Sequence, residues 1–214
     1  MPNIYLSLIA AKLLEIKKEF QKYEPYCSGF HLDVMDNNFV PHLTFGADFI
    51  NEMATIAQKP LFVHLMLQDP LDFIDRLHMR TDDIVSVQLA STNDPQTIIN
   101  AIRDKKVHSS IAINPDIPLD DIYPYIKTLD QVVLMSVKAG FSGQEFIPSV
   151  KEKAKALVQY KKDNNLTFDI CMDGGINESN IEELTQIGVN SFVIGTGVFD
   201  TPDPLSTLKR LQKL

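Results

Sequence analysis

The fold follows from two stretches of sequence, His31-Leu32-Asp33-Val34-Met35-Asp36 and Val63-His64-Leu65-Met66. Each lies in an apolar run of strand-forming residues, in which successive side chains point to opposite faces. His31 and Asp33 therefore share one face of a strand, and His64 and Met66 share a face of another. A strand that places polar groups on one face at a spacing of two directs them at a common site.

Strand-like and helix-like segments alternate along the chain on both sides of these stretches. Strands are predicted at residues 4–8, 29–34, 61–65, 84–89, 109–113, 131–137, 168–172 and 191–194. Helices are predicted at residues 11–23, 47–57, 70–77, 95–104, 119–128, 148–164, 179–187 and 204–211. Strict alternation predicts a parallel sheet with right-handed crossovers, and eight units in one chain predict closure into a (β/α)8 TIM barrel of the α/β class.

One domain covering residues 1–214 is expected, because a chain of this length can bury one large core. The length lies near the lower limit of roughly 200 residues for a TIM barrel, so the loops must be short. The alternative is an open doubly wound sheet, in which a G-x-G-x-x-G turn follows the first strand. This chain has no such turn, which favours the barrel.

Composition restricts the partners and the location of the protein. The net charge is -8 and no run of lysine and arginine exceeds two residues, so no nucleic-acid surface is expected. No apolar stretch approaches membrane-spanning length, and the N-terminus lacks the pattern of a signal peptide. Cys27 and Cys171 have no C-x-x-C spacing and are interpreted as reduced thiols. A cytoplasmic protein is therefore expected, and a homo-oligomer is its expected assembly.

Four side chains offer the ligands of a divalent metal ion: His31, Asp33, His64 and Asp173, the last in Met172-Asp173-Gly174-Gly175. Two imidazoles and two carboxylates form a set that suits Zn²⁺ and also admits Fe²⁺, Mn²⁺ or Co²⁺. A single histidine on an apolar strand is as often a core residue as a ligand. Four such residues near the C-terminal ends of strands, where a barrel has its active site, favour one cation per chain.

Three glycine-rich turns follow the predicted strands 6, 7 and 8: Gly140-Phe141-Ser142-Gly143, Gly174-Gly175 and Gly195-Thr196-Gly197. Glycines let the backbone approach a ligand and present its N–H groups, and the loops after strands 7 and 8 commonly hold phosphate in this fold. No basic residue lies within the turns, although Lys138 adjoins the first. Backbone N–H groups are therefore the expected donors to a phosphate.

The chain resembles the ribulose-phosphate 3-epimerase family along nearly its whole length. The resemblance rests on the two stretches quoted above and on several shorter motifs: Leu6-Ser7, Phe39-Val40-Pro41, Met135-Ser136-Val137, Gly140-Phe141 with Gly143-Gln144, Phe146-Ile147-Pro148, Asp173-Gly174-Gly175 and Gly195-Thr196. It implies a TIM barrel that binds a divalent cation and a sugar phosphate. It further implies epimerisation at C3 of a ketose phosphate, from D-ribulose 5-phosphate to D-xylulose 5-phosphate.

The same resemblance assigns roles to individual residues. The implied cation ligands are the two histidines and two aspartates named above, His31, Asp33, His64 and Asp173. Asp33 and Asp173 are also implied to move protons as catalytic residues, and Ser7 and His64 to contact substrate. Three methionines are implied to lie over the reacting carbons: Met35, Met66 and Met135. The implied phosphate end consists of Gly140, Phe141, Ser142, Gly143, Asp173, Gly174, Gly175, Gly195 and Thr196.

The residue types suit this chemistry without the resemblance. Inverting a carbon next to a ketone needs a base on one face, an acid on the other and a charge sink for the enediolate formed between the two proton transfers. Two carboxylates and a cation meet these needs, and the charge of the cation favours the ionised forms of Asp33 and Asp173.

Several positions depart from the family pattern: Ile9, Asn37-Asn38, Gln88, Ala90, Ala139 and Ser142. Gln88 and Ala90 stand on strand 4, where a histidine and a glutamate are usual. Two alternatives therefore remain, a divergent paralogue acting on a hexulose 6-phosphate such as allulose 6-phosphate, and a sugar-phosphate-binding protein without activity. A related barrel of decarboxylases uses Asp-x-Lys-x-x-Asp on strand 3, but residues 63–69 contain no lysine.

Overall fold

Eight parallel strands close into a barrel in the order of the sequence. A computed structural model describes all 214 residues of the chain. The strands are β1 (Asn3–Ser7), β2 (Gly29–Met35), β3 (Leu61–Met66), β4 (Ile84–Gln88), β5 (His108–Ile113), β6 (Gln131–Met135), β7 (Asp169–Asp173) and β8 (Ser191–Ile194). β8 pairs with β1 in a register that sets Tyr5 opposite Val193, which closes the barrel. The TIM-barrel prediction is therefore confirmed.

Helices connect most of the strands on the outside of the barrel. They are α1 (Ile16–Tyr23), α2 (Ala47–Ile56), α3 (Leu71–Asp75), α4 (Pro95–Asp104), α5 (Val150–Asp163), α6 (Ile181–Ile187), α7 (Thr196–Phe199) and α8 (Pro204–Leu211). The side chain of Asp94 caps α4 by accepting a hydrogen bond from the backbone N–H of Thr97, and Asp203 caps α8 in the same way. Both helices start with proline, which has no backbone N–H. Its absence costs nothing there, because an N–H at the first helical position has no acceptor within the helix.

The predicted helix at residues 119–128 is wrong. This segment joins β5 to β6 and forms two 3₁₀ turns instead, Leu119–Asp121 and Ile126–Thr128. Pro124 explains the difference, because proline has no N–H to donate and disfavours a helical conformation of the residue before it. Two smaller differences are a 3₁₀ turn at Leu13–Glu15, where the sequence predicts α-helix, and the short helix α7, which the sequence analysis does not predict.

The alternating side chains of each strand enter two separate buried regions. Outward-facing residues pack against the helices in a hydrophobic cluster of 48 buried residues that includes Leu32 and Leu65. Inward-facing residues form a cluster of 13 buried apolar residues that includes Phe62 and Met66. The barrel interior also carries buried polar side chains: Ser7, His31, Asp33, His64, Ser86, Gln88, Ser110, Gln131 and Ser191. The outward layer therefore supplies most of the core, while the interior positions the polar groups.

Two expectations about the whole chain can be compared with the structure. Cys27 and Cys171 are both buried and free, as the reduced-thiol interpretation predicts. Burial raises the pKa of the Cys27 thiol to about 12, so this thiol is protonated at neutral pH. None of the helices combines the length and the apolar character needed to cross a membrane.

Candidate active site

Four titratable side chains meet inside the barrel. β2 carries His31 and Asp33, β3 carries His64, and β7 ends at Asp173. One potential ligand atom from each lies within 4.8 Å of all the others. Strand pairing sets Asp33 directly opposite His64, while Asp173 reaches the same point from a strand that is not adjacent. The structure thus brings together the four residues that the sequence analysis names as metal ligands.

The distances between these side chains can be compared with those of a metal site. Nε2 of His31 lies 3.1 Å from Oδ1 of Asp33 and 3.6 Å from Oδ2 of Asp173. Nδ1 of His64 lies 3.5 Å from the same Asp33 oxygen and 3.6 Å from the same Asp173 oxygen. Nitrogen and oxygen ligands about 2.1 Å from a tetrahedral metal ion are roughly 3.4 Å apart. The four groups therefore fit one cation.

One ring nitrogen in this cluster gives a second indication of a cation. Nδ1 of His64 is buried without a hydrogen-bond partner in the protein, although it faces the carboxylates of Asp33 and Asp173. A buried polar atom left in this way destabilises the folded state, commonly by about 1–3 kcal/mol. A cation shared with the two carboxylates gives this nitrogen a partner.

The charged groups of the cluster shift the pKa values of one another. Burial raises the pKa of Asp33, but His31 and His64 outweigh burial and hold that pKa well below its usual range. Burial lowers the pKa of His64, but the carboxylates of Asp173 and Asp33, 3.6 Å and 3.5 Å from Nδ1, outweigh burial and raise it to about 9. At neutral pH the cluster therefore holds a positive charge beside its carboxylates even without a cation.

Further polar contacts fix these side chains in place. Ser7 donates a hydrogen bond from Oγ to Oδ2 of Asp33 over 3.0 Å. The side-chain amide of Gln88 lies 2.9 Å from Nε2 of His64. Thr44 donates from Oγ1 to the backbone carbonyl of Asp33 and holds the loop after β2 against the strand. Asp33 and His64 thus each have neighbours that restrict their orientation.

The sequence analysis names Ser7 as a substrate contact but predicts neither its hydrogen bond to Asp33 nor the contacts of Gln88 and Thr44. An available signal for Gln88 is its position two residues after Ser86 in β4, which places both side chains inside the barrel. Thr44 lies in a loop without periodicity, so no pattern in the sequence points to it.

A cavity opens beside the cluster at the C-terminal ends of the strands. Asp33 and Asp173 line it, whereas His31 and His64 are fully buried and do not. Among the residues predicted to contact substrate, His64 is the one that the structure places off the cavity wall. The others line the cavity: Ser7, Met35, Met66, Met135, Gly140, Phe141, Ser142, Gly143, Gly174, Gly175, Gly195 and Thr196. Apolar residues without a sequence signal line it as well, namely Ala10, Ile176 and Val193, and so does Val137 of the Met135-Ser136-Val137 motif.

The loops after β6 and β7 hold each other in place at this cavity. Ser136 donates from Oγ to the backbone carbonyls of Asp173 over 3.0 Å and Gly174 over 2.6 Å. Gly175 has a φ of +64°, and a Cβ atom there would lie 2.5 Å from the backbone nitrogen of Phe146 in the neighbouring loop. Only glycine accepts both the conformation and the close approach. This glycine therefore serves loop packing as well as the cavity that it lines.

The loop after β6 also contains the one basic side chain among the residues lining the cavity, Lys138. Gln144 donates from Nε2 to the backbone carbonyls of Lys138 over 2.6 Å and Phe141 over 2.9 Å, which closes the loop on itself. The Lys138 side chain is exposed to solvent. Lys138 is therefore the one cationic side chain that an anion in the cavity could meet.

Comparison with known proteins identifies relatives along almost the entire chain. A model of the ribulose-phosphate 3 epimerase family matches residues 3–199. The ribulose-phosphate 3-epimerase of Helicobacter pylori is 30% identical over 208 residues, which are 97% of this chain and 95% of that protein. The enzyme of that name from Mycobacterium tuberculosis is 30% identical over 212 residues, 99% and 92% of the two chains. The cytoplasmic isoform from rice is 31% identical over 187 residues, 86% and 80%.

Solved structures share the fold at much lower identity. KGPDC from Streptococcus mutans superposes with a TM-score of 0.72 at 14% identity, covering 100% of this chain and 96% of that one. Orotidine 5'-monophosphate decarboxylase from Sulfolobus solfataricus has a TM-score of 0.69 at 10% identity, covering 100% and 97%. These structures show the shared barrel, whereas the family match and the sequence relatives show kinship. The chain therefore belongs to the ribulose-phosphate 3-epimerase family of isomerases.

Proposed function

We propose that the protein catalyses the metal-dependent epimerisation of D-ribulose 5-phosphate at C3, giving D-xylulose 5-phosphate. The observation that carries this proposal is the placement of Asp33 and Asp173 on one cavity, from two strands that are not adjacent, beside two imidazoles that fit a cation. Carboxylates on separate strands can reach opposite faces of one carbon, as inversion requires. Family membership supports the same reaction.

Four residues would hold the cation: His31, Asp33, His64 and Asp173. Their nitrogen and oxygen donors suit Zn²⁺ best and admit Fe²⁺, Mn²⁺ or Co²⁺. When bound, a divalent ion supplies charge stabilisation to an enediolate, which is worth several kcal/mol. His64 must lose a proton before Nδ1 can act as a ligand, because a metal-binding nitrogen needs its lone pair.

Asp33 and Asp173 are the proposed acid and base. One carboxylate removes the C3 proton from one face of the carbon, and the other, as a carboxylic acid, returns a proton to the opposite face. Their roles exchange when the reaction runs in reverse. The hydrogen bond from Ser7 to Oδ2 of Asp33 stabilises the ionised carboxyl group and orients it, while Oδ1 faces the two imidazoles.

The rest of the cavity divides into a phosphate end and an apolar wall. The proposed phosphate end is formed by the loops after β6, β7 and β8, with Gly140, Phe141, Ser142, Gly143, Gly174, Gly175, Gly195 and Thr196. Backbone N–H groups are the proposed donors, since Lys138 is the one basic residue on the wall. Met35, Met66 and Met135 are proposed to cover the reacting carbons, where thioethers exclude water without offering a proton.

The departures from the family pattern affect the choice of substrate. Gln88 is not on the cavity wall, and Ala90 lines a separate hollow, so neither side chain is placed to contact a substrate in the cavity. Ile9, Ala139 and Ser142 do line it. Because these three residues depart from the family pattern and line the cavity, a hexulose 6-phosphate such as allulose 6-phosphate is the second candidate substrate. The presence of both carboxylates argues against a binding protein without activity.

The proposal extends to the surroundings of the protein. The proposed partner is a small sugar phosphate, and we propose that the protein binds neither nucleic acid nor a membrane. A cytoplasmic location is supported by two buried, free cysteines and by the name of the rice relative. A homo-oligomer stays a prediction, which light scattering of the purified protein tests.

A coupled assay of the purified protein against a panel of ketose phosphates tests the proposal. We expect the highest kcat/KM for D-ribulose 5-phosphate, a lower value for allulose 6-phosphate and poor turnover of unphosphorylated ribulose. A higher value for allulose 6-phosphate would select the second candidate, and no turnover of any member would select a binding protein.

Metal content is tested on the same preparation. Elemental analysis of protein purified without chelator should show one divalent cation per chain, and stripping it should abolish turnover. Full activity of a verified metal-free sample would rule out metal dependence.

A further inference from the structure

The side chain of Gln88 makes a contact that the reaction described above does not use. Gln88 is the last residue of β4, is fully buried and points into the barrel. Its amide Nε2 lies 2.9 Å from Nε2 of His64. Its amide oxygen, Oε1, is buried without a hydrogen-bond partner. The amide is therefore held against the imidazole, on the side away from the carboxylates.

The geometry of His64 decides which of its nitrogens can bind a cation. Nδ1 faces both Asp33 and Asp173, whereas Nε2 faces Gln88. A neutral imidazole carries its proton on one nitrogen and its free lone pair on the other. When Nδ1 binds a cation, the proton must therefore lie on Nε2, where it needs an acceptor.

The amide of Gln88 can supply that acceptor. The oxygen and nitrogen of an amide side chain are exchanged by a half-turn about the last side-chain bond, and they are assigned from the hydrogen-bond network. After this half-turn the unpartnered Oε1 accepts the proton of Nε2 at the same place. No other protein group hydrogen-bonds to this nitrogen.

We propose that Gln88 is a positioning residue that fixes the tautomer and the ring orientation of His64 for metal binding. This inference rests on the metal centre proposed above. Metal-binding histidines commonly donate their outer N–H to an oxygen acceptor, and loss of that acceptor typically lowers metal affinity about 10–100-fold. His31 has no equivalent support, since its Nδ1 has no partner in the protein. The support from Gln88 is thus specific to one ligand.

Two substitutions separate the acceptor from the volume of the side chain. Gln88→Met keeps a similar length and removes the acceptor, whereas Gln88→Glu keeps an acceptor oxygen. Ser86→Ala is the matched control, because Ser86 is a buried inward residue of the same strand whose Oγ has no partner and which pairs with His64 only through the backbone. Zn²⁺ affinity is measured by competition with a chromophoric chelator, together with the Tm of each metal-free variant.

We expect Gln88→Met to weaken Zn²⁺ binding about 10–100-fold, with Gln88→Glu restoring most of the affinity and Ser86→Ala leaving it unchanged. In wild-type protein labelled with ¹⁵N-histidine and loaded with Zn²⁺, NMR should show the proton of His64 on Nε2. That proton should also resonate downfield, as expected when the Gln88 oxygen accepts its hydrogen bond. This measurement needs no variant and tests the role of Gln88 even if Gln88→Met fails to fold.

Two results would overturn the inference alone: wild-type Zn²⁺ affinity in folded Gln88→Met, or an Nε2 proton of His64 in the Zn²⁺-loaded wild type that is not hydrogen-bonded. A proton on Nδ1 of His64 would instead exclude this nitrogen as a metal ligand. Absence of Zn²⁺ binding by the wild type, with no change in the His31 and His64 signals, would overturn the metal centre itself. The two failures are therefore distinguishable.

Discussion

Successive side chains of each strand face outward and inward in turn, and the two sets of side chains differ in chemistry. In β3, Val63 and Leu65 face outward into the large apolar cluster, while Phe62, His64 and Met66 face inward. The outward side chains lose water and gain close packing, which stabilises the fold by about 25 cal/mol for each Å² buried. The inward face places imidazoles and carboxylates in a region of low dielectric. A shift of one residue along a strand thus changes a side chain's contribution from stability to chemistry.

The inward face also leaves more buried polar atoms without a hydrogen-bond partner than the outward face does. Five buried polar atoms inside the barrel have no hydrogen-bond partner in the protein, one each on His31, His64, Ser86, Gln88 and Ser191. The outward cluster consists of hydrophobic residues. Because an unpartnered buried polar group commonly lowers stability by about 1–3 kcal/mol, these polar positions of the interior reduce stability, whereas the apolar outer layer adds to it. Substitutions on the two faces should therefore separate activity from stability.

The largest expected effect concerns the carboxylates that line the cavity. Asp33→Asn and Asp173→Asn should each lower kcat/KM for epimerisation by on the order of 10³-fold or more, since acid–base catalysis alone contributes about 10²–10⁴-fold. Steady-state assays with D-ribulose 5-phosphate measure this loss, and the metal content of each variant is determined alongside. One variant can still exchange the C3 proton with solvent, on the face that its remaining carboxylate serves.

Asp83 provides the matched control for these variants. It is fully buried but precedes β4, at the opposite end of the barrel, where it accepts from the backbone N–H of Leu61 and pairs with Arg80 at 2.7 Å. Asp83→Asn should lower the free energy of unfolding by on the order of 2 kcal/mol, as a charge-assisted hydrogen bond is weakened, with kcat unchanged. Normal turnover in a metal-replete Asp33→Asn or Asp173→Asn enzyme would contradict the assignment.

The next effect compares two neighbours in β3 that face opposite ways. Leu65→Ala removes packing from the outward cluster and should reduce the free energy of unfolding by about 2–5 kcal/mol, with kcat unchanged. Met66→Leu conserves volume on the inward face and should reduce it by less than about 1.5 kcal/mol. Chemical denaturation measures both. If folded Leu65→Ala lost turnover in proportion to its stability, the two faces would not be separable.

The free energy of unfolding of the metal-free protein should depend on pH through His64 in the cluster of four ligands. This effect should be smaller than the two above. The pKa of His64 rises to about 9 in the folded protein, above the usual value of about 6.5. A raised pKa means that the protonated ring stabilises the fold fully below about pH 6.5, and that this stability is lost as pH rises through about 9. Unfolding free energies across this range should fall by up to about 3 kcal/mol.

His64→Asn, which cannot titrate, is the control for this pH dependence. Its stability should change less with pH than that of the wild type over the same range. An identical decline in both proteins would assign the dependence to other groups.

The smallest effect concerns the proposed phosphate end. A Cβ added at Gly195 would lie 3.1 Å from Cβ of Ala10 and 3.6 Å from Cβ of Ser7, so Gly195→Ala narrows the cavity without meeting backbone. It should lower kcat/KM by about tenfold, or 1.4 kcal/mol, and Lys138→Ala should lower it less. A substitution at Gly175 is a poorer test, because its Cβ would collide with a neighbouring loop. A larger loss for Lys138→Ala would show that a charge, and not the backbone, holds the phosphate.

The sequence predicts the barrel and the cluster for physical reasons that operate locally. Alternating strand and helix patterns decide the topology, and parallel strands bring their C-terminal ends together, so His31, Asp33 and His64 could be assigned to one site from their strands alone. The contact between Gln88 and His64 depends on the register of β4 against β3 and on a side-chain rotamer, neither of which a single sequence specifies.

The sequence also does not predict how far each inward-facing side chain lies from the cavity. Asp33 and His64 lie opposite each other in neighbouring strands, yet Asp33 lines the cavity and His64 does not, because strand tilt and stagger set how far each residue lies from the cavity. In the segment after β5, the apolar spacing favours a helix and Pro124 opposes it. The prediction weighted the spacing, whereas the missing N–H of the proline decided the structure.

The most direct test follows D-ribulose 5-phosphate in D₂O by NMR with Zn²⁺-loaded protein. Two carboxylates acting on opposite faces, one removing a proton and the other delivering one from solvent, should place deuterium at C3 of each D-xylulose 5-phosphate formed. The unconverted substrate should keep its C3 proton early in the reaction, and stripping the metal should stop conversion until Zn²⁺ is restored. Product that retains the original C3 proton, or equal conversion by stripped protein, would contradict a metal-dependent reaction through Asp33 and Asp173.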